Sequence, residues 1–164
     1  MKSKTLYIAY GSNLNLTQMA CRCPTAKVVG TSELKDYELL FRGSRHSAVA
    51  TVEPCKGGRV PVLLWTLKEK DLQALDRYEG YPHFYRKEIL NVELKGGIVP
   101  AMAYIMNDGH PFGAPSDHYL NTILEGYESA GFDTEVLEQA VEKSIRLAEE
   151  QQPEQENLFG LKWW

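Results

Sequence analysis

Two glycine pairs constrain this chain more than any other feature. Gly57-Gly58 lies between SAVATVEP (47–54) and RVPVLLWTL (59–67), and Gly96-Gly97 lies at the junction of FYRKEILNVEL (84–94) and IVPAMAYIM (98–106). Runs rich in β-branched and aromatic residues read as strands, and short Gly-containing connections between them read as hairpin turns. Two hairpins are therefore expected, one closed by Cys-Lys-Gly-Gly and one by Lys-Gly-Gly. Residues 26–33 and 36–42 read as two further strands. Near the N-terminus Leu6, Ile8 and Tyr10 alternate with Tyr7 and Ala9, the period of a strand.

Helices are fewer, and the longer ones fall late. Residues 15–22 suit a short helix. Thr66 and Glu69 form a Thr-x-x-Glu capping box for a helix running to Tyr78 or Glu79, where Gly80 and Pro82 stop it. A second helix begins at Ser116, carries Tyr119, Leu120, Ile123, Leu124 and Tyr127 on one face, and ends at Gly131. A third has Asp133 as N-cap and buries Val136, Leu137, Ala140, Val141, Ile145 and Ala148. Long hairpin strands with helices gathered at one end indicate an α+β fold, its strands curled into a small closed or nearly closed barrel.

The 164 residues suit one domain, expected over residues 1–148. EEQQPEQE (149–156) has no apolar face and reads as a polar linker to the apolar, aromatic tail NLFGLKWW. A net charge of −4 argues against a nucleic-acid binder, which would present a basic stripe. No apolar run reaches membrane-spanning length, and MKSKTLYIAY lacks the apolar core of a signal peptide, so no membrane partner and a cytoplasmic location are expected. Three cysteines, Cys21, Cys23 and Cys55, fit a reducing compartment better than a disulfide framework. The spacing of Cys21 and Cys23 does not match a zinc site, and the four histidines form no HxH or HExxH pair, so no metal site is expected.

Two stretches carry chemistry. In Tyr10-Gly11-Ser12-Asn13-Leu14 a strand stops on a glycine and two small polar residues. Glycine lets a ligand approach the backbone closely, successive amides can cradle an anion, and Ser12 and Asn13 add side-chain donors. An ordinary turn would use the same residues for their conformational tolerance. The second stretch is LDRYEGYP (75–82). At helical spacing Glu79 projects within about 20° of Leu72 and about 40° of Leu75, which sets a carboxylate on the face that should meet the core. Burial there would raise its pKa and make it a better base. Asp71 and Asp76 read as solvated helix charges, Arg42, Arg45 and His46 as a solvated cluster, and Tyr104 and Tyr119 as packing residues.

Taken together, YGSNL after the first strand, LDRYEGYP at the end of the first long helix and the later PSDHYL…GYESAGF resemble the γ-glutamylcyclotransferase (AIG2-like) family, over residues 5 to about 147. The resemblance implies a small mixed β-barrel with helices packed outside, no cofactor, a small-molecule γ-glutamyl substrate and a homodimer. It implies cyclisation of a γ-glutamyl amide to 5-oxoproline with release of an amine or amino acid. It assigns the catalytic acid/base to Glu79, and binding of the γ-glutamyl moiety to Tyr10, Gly11, Ser12, Asn13 and Leu14, with Tyr104 and Tyr119 near the pocket. A non-catalytic binding module on the same fold is the alternative, and the presence of Glu79 favours the enzyme. A third reading, an assembly protein docking through NLFGLKWW, rests on the tail alone.

Overall fold

The computed structural model describes the backbone of residues 4–160 and the side chains of residues 4–151. The strands are β1 (Thr5–Ala9), β2 (Lys27–Arg42), β3 (Val49–Leu67), β4 (Tyr85–Leu94) and β5 (Gly97–Met106). The helices are α1 (Leu16–Arg22), α2 (Glu69–Glu79), α3 (Asp117–Ala130) and α4 (Thr134–Gly160), with a 3-10 turn at Ser12–Leu14. The strands form one five-stranded mixed sheet in the order β2-β3-β1-β5-β4. Central β1 runs antiparallel to β3 and parallel to β5. Its Ile8 is wholly buried, as are Phe41, Leu64, Ile123 and Tyr127 around it.

The α+β class holds, but the barrel does not close. Edge strands β2 and β4 lean together, with Leu94 beside Gly30 and Lys35 Nζ 3.4 Å from Glu93, yet no ladder of backbone bonds joins them. The first predicted hairpin is also different. Residues 49–67 are one strand, paired with β2 from Arg42↔Val49 to Lys27↔Thr66. Between Lys35↔Arg59 and Tyr37↔Pro54 the register shifts, with residues 55–58 bulging opposite Asp36. Asp36 sits at φ 64°, its carboxylate accepts from the Gly57 amide at 2.8 Å, and a Cβ on Gly58 would lie 2.2 Å from the Tyr37 carbonyl oxygen. The Gly-Gly pair therefore serves a bulge that kinks two long strands together. The same bulge makes 26–33 and 36–42 one strand. The second hairpin turns on Lys95 and Gly96, both at positive φ, as a two-residue connection demands.

Helix α2 starts at N-cap Lys68, whose amide donates to the Asp71 carboxylate at 2.9 Å. The expected Thr66–Glu69 box does not form, because Thr66 is still in β3. Asp71 is thus a buried cap, also held by the Thr25 hydroxyl at 2.6 Å, and is not a solvated charge. Gly80 ends the helix in the left-handed conformation, and the Tyr81 amide closes back on the Asp76 carbonyl at 2.9 Å.

Ser116 and Asp133 cap α3 and α4 as expected, accepting from the amides of Tyr119 at 3.3 Å and Glu135 at 3.0 Å. On α4 the buried stripe includes Ser144 rather than Ile145, which is 37% exposed. Ser144 can enter the core because its hydroxyl donates to the Ala140 carbonyl at 2.7 Å and accepts from the Phe41 amide at 2.9 Å. Helix α4 continues through 149–156 to Gly160, so the expected linker has helical backbone. The rest of the aromatic tail, 161–164, lies outside the described residues. Arg42 is not a free surface charge: its guanidinium grips Glu53 at 2.5 and 3.2 Å and covers the Phe112 ring. Among the described residues no helix is long and apolar enough to cross a membrane.

Candidate active site

The two stretches singled out in the sequence meet at one cavity of about 260 Å³. Strand β1 ends at Ala9, and the chain turns through Tyr10 and Gly11 into the 3-10 turn. From the other side α2 delivers Glu79 to the same space. Leu75, one turn earlier, is fully buried and Leu72 packs on the core, so the helix phase that anchors them points Glu79 inward. Tyr10, Gly11, Ser12, Asn13, Glu79, Tyr104 and Tyr119 all line the cavity. Leu14 does not: it is fully buried beneath Gly126 of α3, as a packing residue.

Space at Gly11 is tight. It sits at φ −125°, and a Cβ there would come within 3.1 Å of the Ala50 Cβ and 3.6 Å of the Tyr119 hydroxyl. The amides of Ser12 and Asn13 open the 3-10 turn, so they have no carbonyl within it to donate to. The N-terminus of α1 is tied to α3. Its N-cap Asn15 is buried, accepts from the Gln18 amide at 3.0 Å, and donates to the Thr122 carbonyl and the Glu125 carboxylate of α3 at 3.0 and 2.9 Å.

Glu79 has a specific environment. The Asn13 side-chain amide donates to its Oε1 at 3.3 Å and to the Tyr7 hydroxyl at 2.8 Å. Burial pushes the Glu79 carboxyl up to about 7, against the opposing pull of the Arg22 guanidinium and the Asn13 hydrogen bond. It can therefore hold or release a proton near neutrality, as acid/base work requires. The surrounding phenols of Tyr7, Tyr10, Tyr85, Tyr104 and Tyr119 are driven upward by burial first and by the Glu79 charge among lesser causes, so they stay neutral.

Most of those hydroxyls are engaged. Tyr10 donates to the Tyr104 carbonyl at 2.5 Å, Tyr85 to the Ala50 carbonyl at 2.6 Å, and Tyr119 accepts from the Ala50 amide at 3.0 Å. Tyr104 donates to Asp76 at 2.5 Å, and Lys87 pairs with the same carboxylate at 2.9 Å. Asp76 is thus a bridge between α2, β4 and β5 and not a solvated charge. At the rim Tyr78 shares a hydrogen bond with Ser12 at 3.0 Å.

Sequence reasoning missed Tyr7, Tyr78, Phe84, Tyr85, Val49 and Ala50 as cavity-lining residues. Tyr7 and Tyr10 have opposite parity in a strand, but Tyr10 follows the end of β1, so alternation no longer separates them. For Tyr85 and Ala50 the only available signal was strand membership, which does not reveal which strands become neighbours.

The cavity thus combines aromatic walls, the Gly-Ser-Asn turn and one carboxyl group raised to about 7. The family described as "Gamma-glutamyl cyclotransferase, AIG2-like" matches residues 7–126. The chain belongs to that family. It is 28% identical over 142 residues to Gamma-glutamylcyclotransferase of Homo sapiens, covering 81% of this chain and 75% of that one. The Mus musculus protein of the same name is 27% identical with the same coverage. A solved structure of a gamma-glutamyl cyclotransferase superposes with a TM-score of 0.75 at 26% identity, over 84% of this chain and 86% of the other.

Proposed function

We propose that this protein is a γ-glutamylcyclotransferase, with Glu79 as its general acid/base. The observation that carries the reading is the Glu79 carboxyl, held against Asn13 of the Gly-Ser-Asn turn and raised to about 7. In a γ-glutamyl amide the nucleophile is the substrate's own α-amine. Closure to a five-membered lactam is intramolecular, so proximity is built into the substrate. What the reaction lacks at neutral pH is a base, because the amine is mostly ammonium. Glu79 takes that proton and passes it to solvent. The free amine adds to the γ-carbonyl, Glu79 takes the second proton that the added nitrogen then sheds, and the C–N bond to the leaving group breaks as Glu79 delivers that proton to the departing nitrogen. The products are 5-oxoproline and a free amine or amino acid. The amides of Ser12 and Asn13 offer donors to the substrate α-carboxylate or to the oxyanion that forms on the carbonyl.

The test is 5-oxoproline release from a panel of γ-glutamyl dipeptides and γ-glutamyl amines. Release from at least one supports the reading, and the panel orders the leaving groups. No release from any of them by the folded protein sinks it and favours a binding module. The pH dependence is a second check. The base works when ionised, so kcat/KM should rise with pH through about 7, not through the ordinary carboxylate value of 4.5. An acidic limb near 4.5 would exclude Glu79 as the titrating base. A cytoplasmic location goes with this reading, in keeping with the unpaired Cys21, Cys23 and Cys55. So does a homodimer, which solution mass would test.

A further inference from the structure

Arg22 does not line the cavity, yet the whole Glu79 network leads back to it. It is the last residue of α1, half-buried, with its guanidinium flat on the Tyr78 ring at 3.5 Å. One Nη donates to the Gln18 side-chain oxygen at 3.0 Å and the other donates in a short contact to Asn13 Oδ1. That second bond matters because an Asn amide can sit either way round. With Oδ1 taken by Arg22, the Asn13 amide nitrogen must face Tyr7 and Glu79, and it reaches both.

We infer that Arg22 is a positioning residue for the acid/base: it locks the Asn13 amide so that a donor, not an acceptor, faces Glu79. The lock has a directional consequence. A donor stabilises the carboxylate, whereas a flipped amide would present Oδ1 and favour the carboxylic acid. The Arg22 charge acts in the same sense. The titratable groups facing Glu79 from the other elements are the phenols of Tyr7 and Tyr10 at the β1 end, Tyr85 on β4, Tyr104 on β5 and Tyr119 on α3. All of these are neutral, so none substitutes for a lost Arg22 charge.

This inference rests on the cyclotransferase reading for its kinetics but not for its direct test. The direct test is the titration of Glu79 itself, followed by the side-chain carboxyl 13C shift, in the wild type and in Arg22→Met. Arg22→Met is expected to raise the midpoint by about one unit or more, the size of effect that an opposite charge and a donor exert on a carboxyl. In the kinetic arm kcat should fall about 10- to 100-fold, the scale of a misaligned catalytic group, with KM changing little because Arg22 is outside the cavity. The acidic limb of kcat/KM should move up in step with the titration.

Arg22→Lys serves if Arg22→Met does not fold. It keeps a cation but not the fork, so a rise of a few tenths of a unit and a smaller loss of kcat are expected. A folded Arg22→Met whose Glu79 titrates as in the wild type overturns the inference, as does an Arg22→Lys unchanged in both midpoint and rate. If the wild type releases no 5-oxoproline but the midpoint still shifts, the cyclotransferase reading fails and the positioning role stands.

Discussion

Glu79→Gln is expected to lower 5-oxoproline release by about 10²- to 10⁴-fold, the range that a general acid/base contributes. The variant should keep its fold, and above neutral pH it should melt higher than the wild type. Glutamine has the same size and still accepts from the Asn13 amide through its side-chain oxygen, but it can neither take nor give the proton. The stability effect follows from proton linkage. In the folded protein Glu79 holds its proton up to about pH 7, whereas a carboxyl in the unfolded chain releases it at the ordinary value of 4.5. Between those values the folded state binds more protons, so this group's contribution to stability falls as pH rises across the window. Glutamine does not titrate and escapes that loss. Thermal melts at pH 5 and pH 8 check it: the gap between variant and wild type should widen in the variant's favour at the higher pH. A variant that keeps wild-type release would remove Glu79 from the mechanism.

Gly126→Ala should be strongly damaging although it lies outside the cavity. A Cβ at this position on α3 would lie 2.5 Å from the Leu14 Cβ and 2.8 Å from the Leu14 backbone carbon. No rotamer change can relieve contact with backbone, so either α3 or the 3-10 turn must move. Overpacking of this kind costs about 1–3 kcal/mol, partly offset by about 1 kcal/mol from the better helix propensity of alanine. The functional effect should exceed the loss of stability. The displaced turn carries Ser12 and Asn13, and an error of about 1 Å in a reacting group costs roughly 10²-fold in rate. Chemical denaturation and kcat on one preparation separate the two effects. Asn121→Ala, exposed on the same helix, is the control and should leave both near wild type.

Much of the site was legible because it depends on local rules. Helix phase relative to Leu72 and Leu75 is enough to turn Glu79 inward, and the strand that stops on Gly-Ser-Asn, whose residues fit an ordinary turn equally well, ends at the same cavity. Both survive because α2 and β1 obey their ideal periods close to the cavity. The failures arise where a local signal had two uses. Gly57-Gly58 has turn chemistry, but Asp36 opposite it makes the pair a bulge, and only the partner strand reveals this. Asp71 and Asp76 have the spacing of exposed helix charges, yet one caps α2 and the other joins Tyr104 and Lys87. Leu14 lies inside the loop motif but turns away from the cavity, against Gly126. Arg22 gives no signal at all, because its meaning depends on a chain reversal that returns α1 to Asn13.

The tyrosine hydroxyls tied to Ala50 and to the Tyr104 carbonyl have a thermodynamic consequence. Each phenol has its ring torsions frozen when the chain folds, so little rotamer entropy remains to be lost when a ligand arrives. The walls are set before the encounter, and the free and occupied forms of the cavity should superpose closely. The most exposed part of the lining is the rim at Tyr78, itself held by Ser12 and the Arg22 guanidinium.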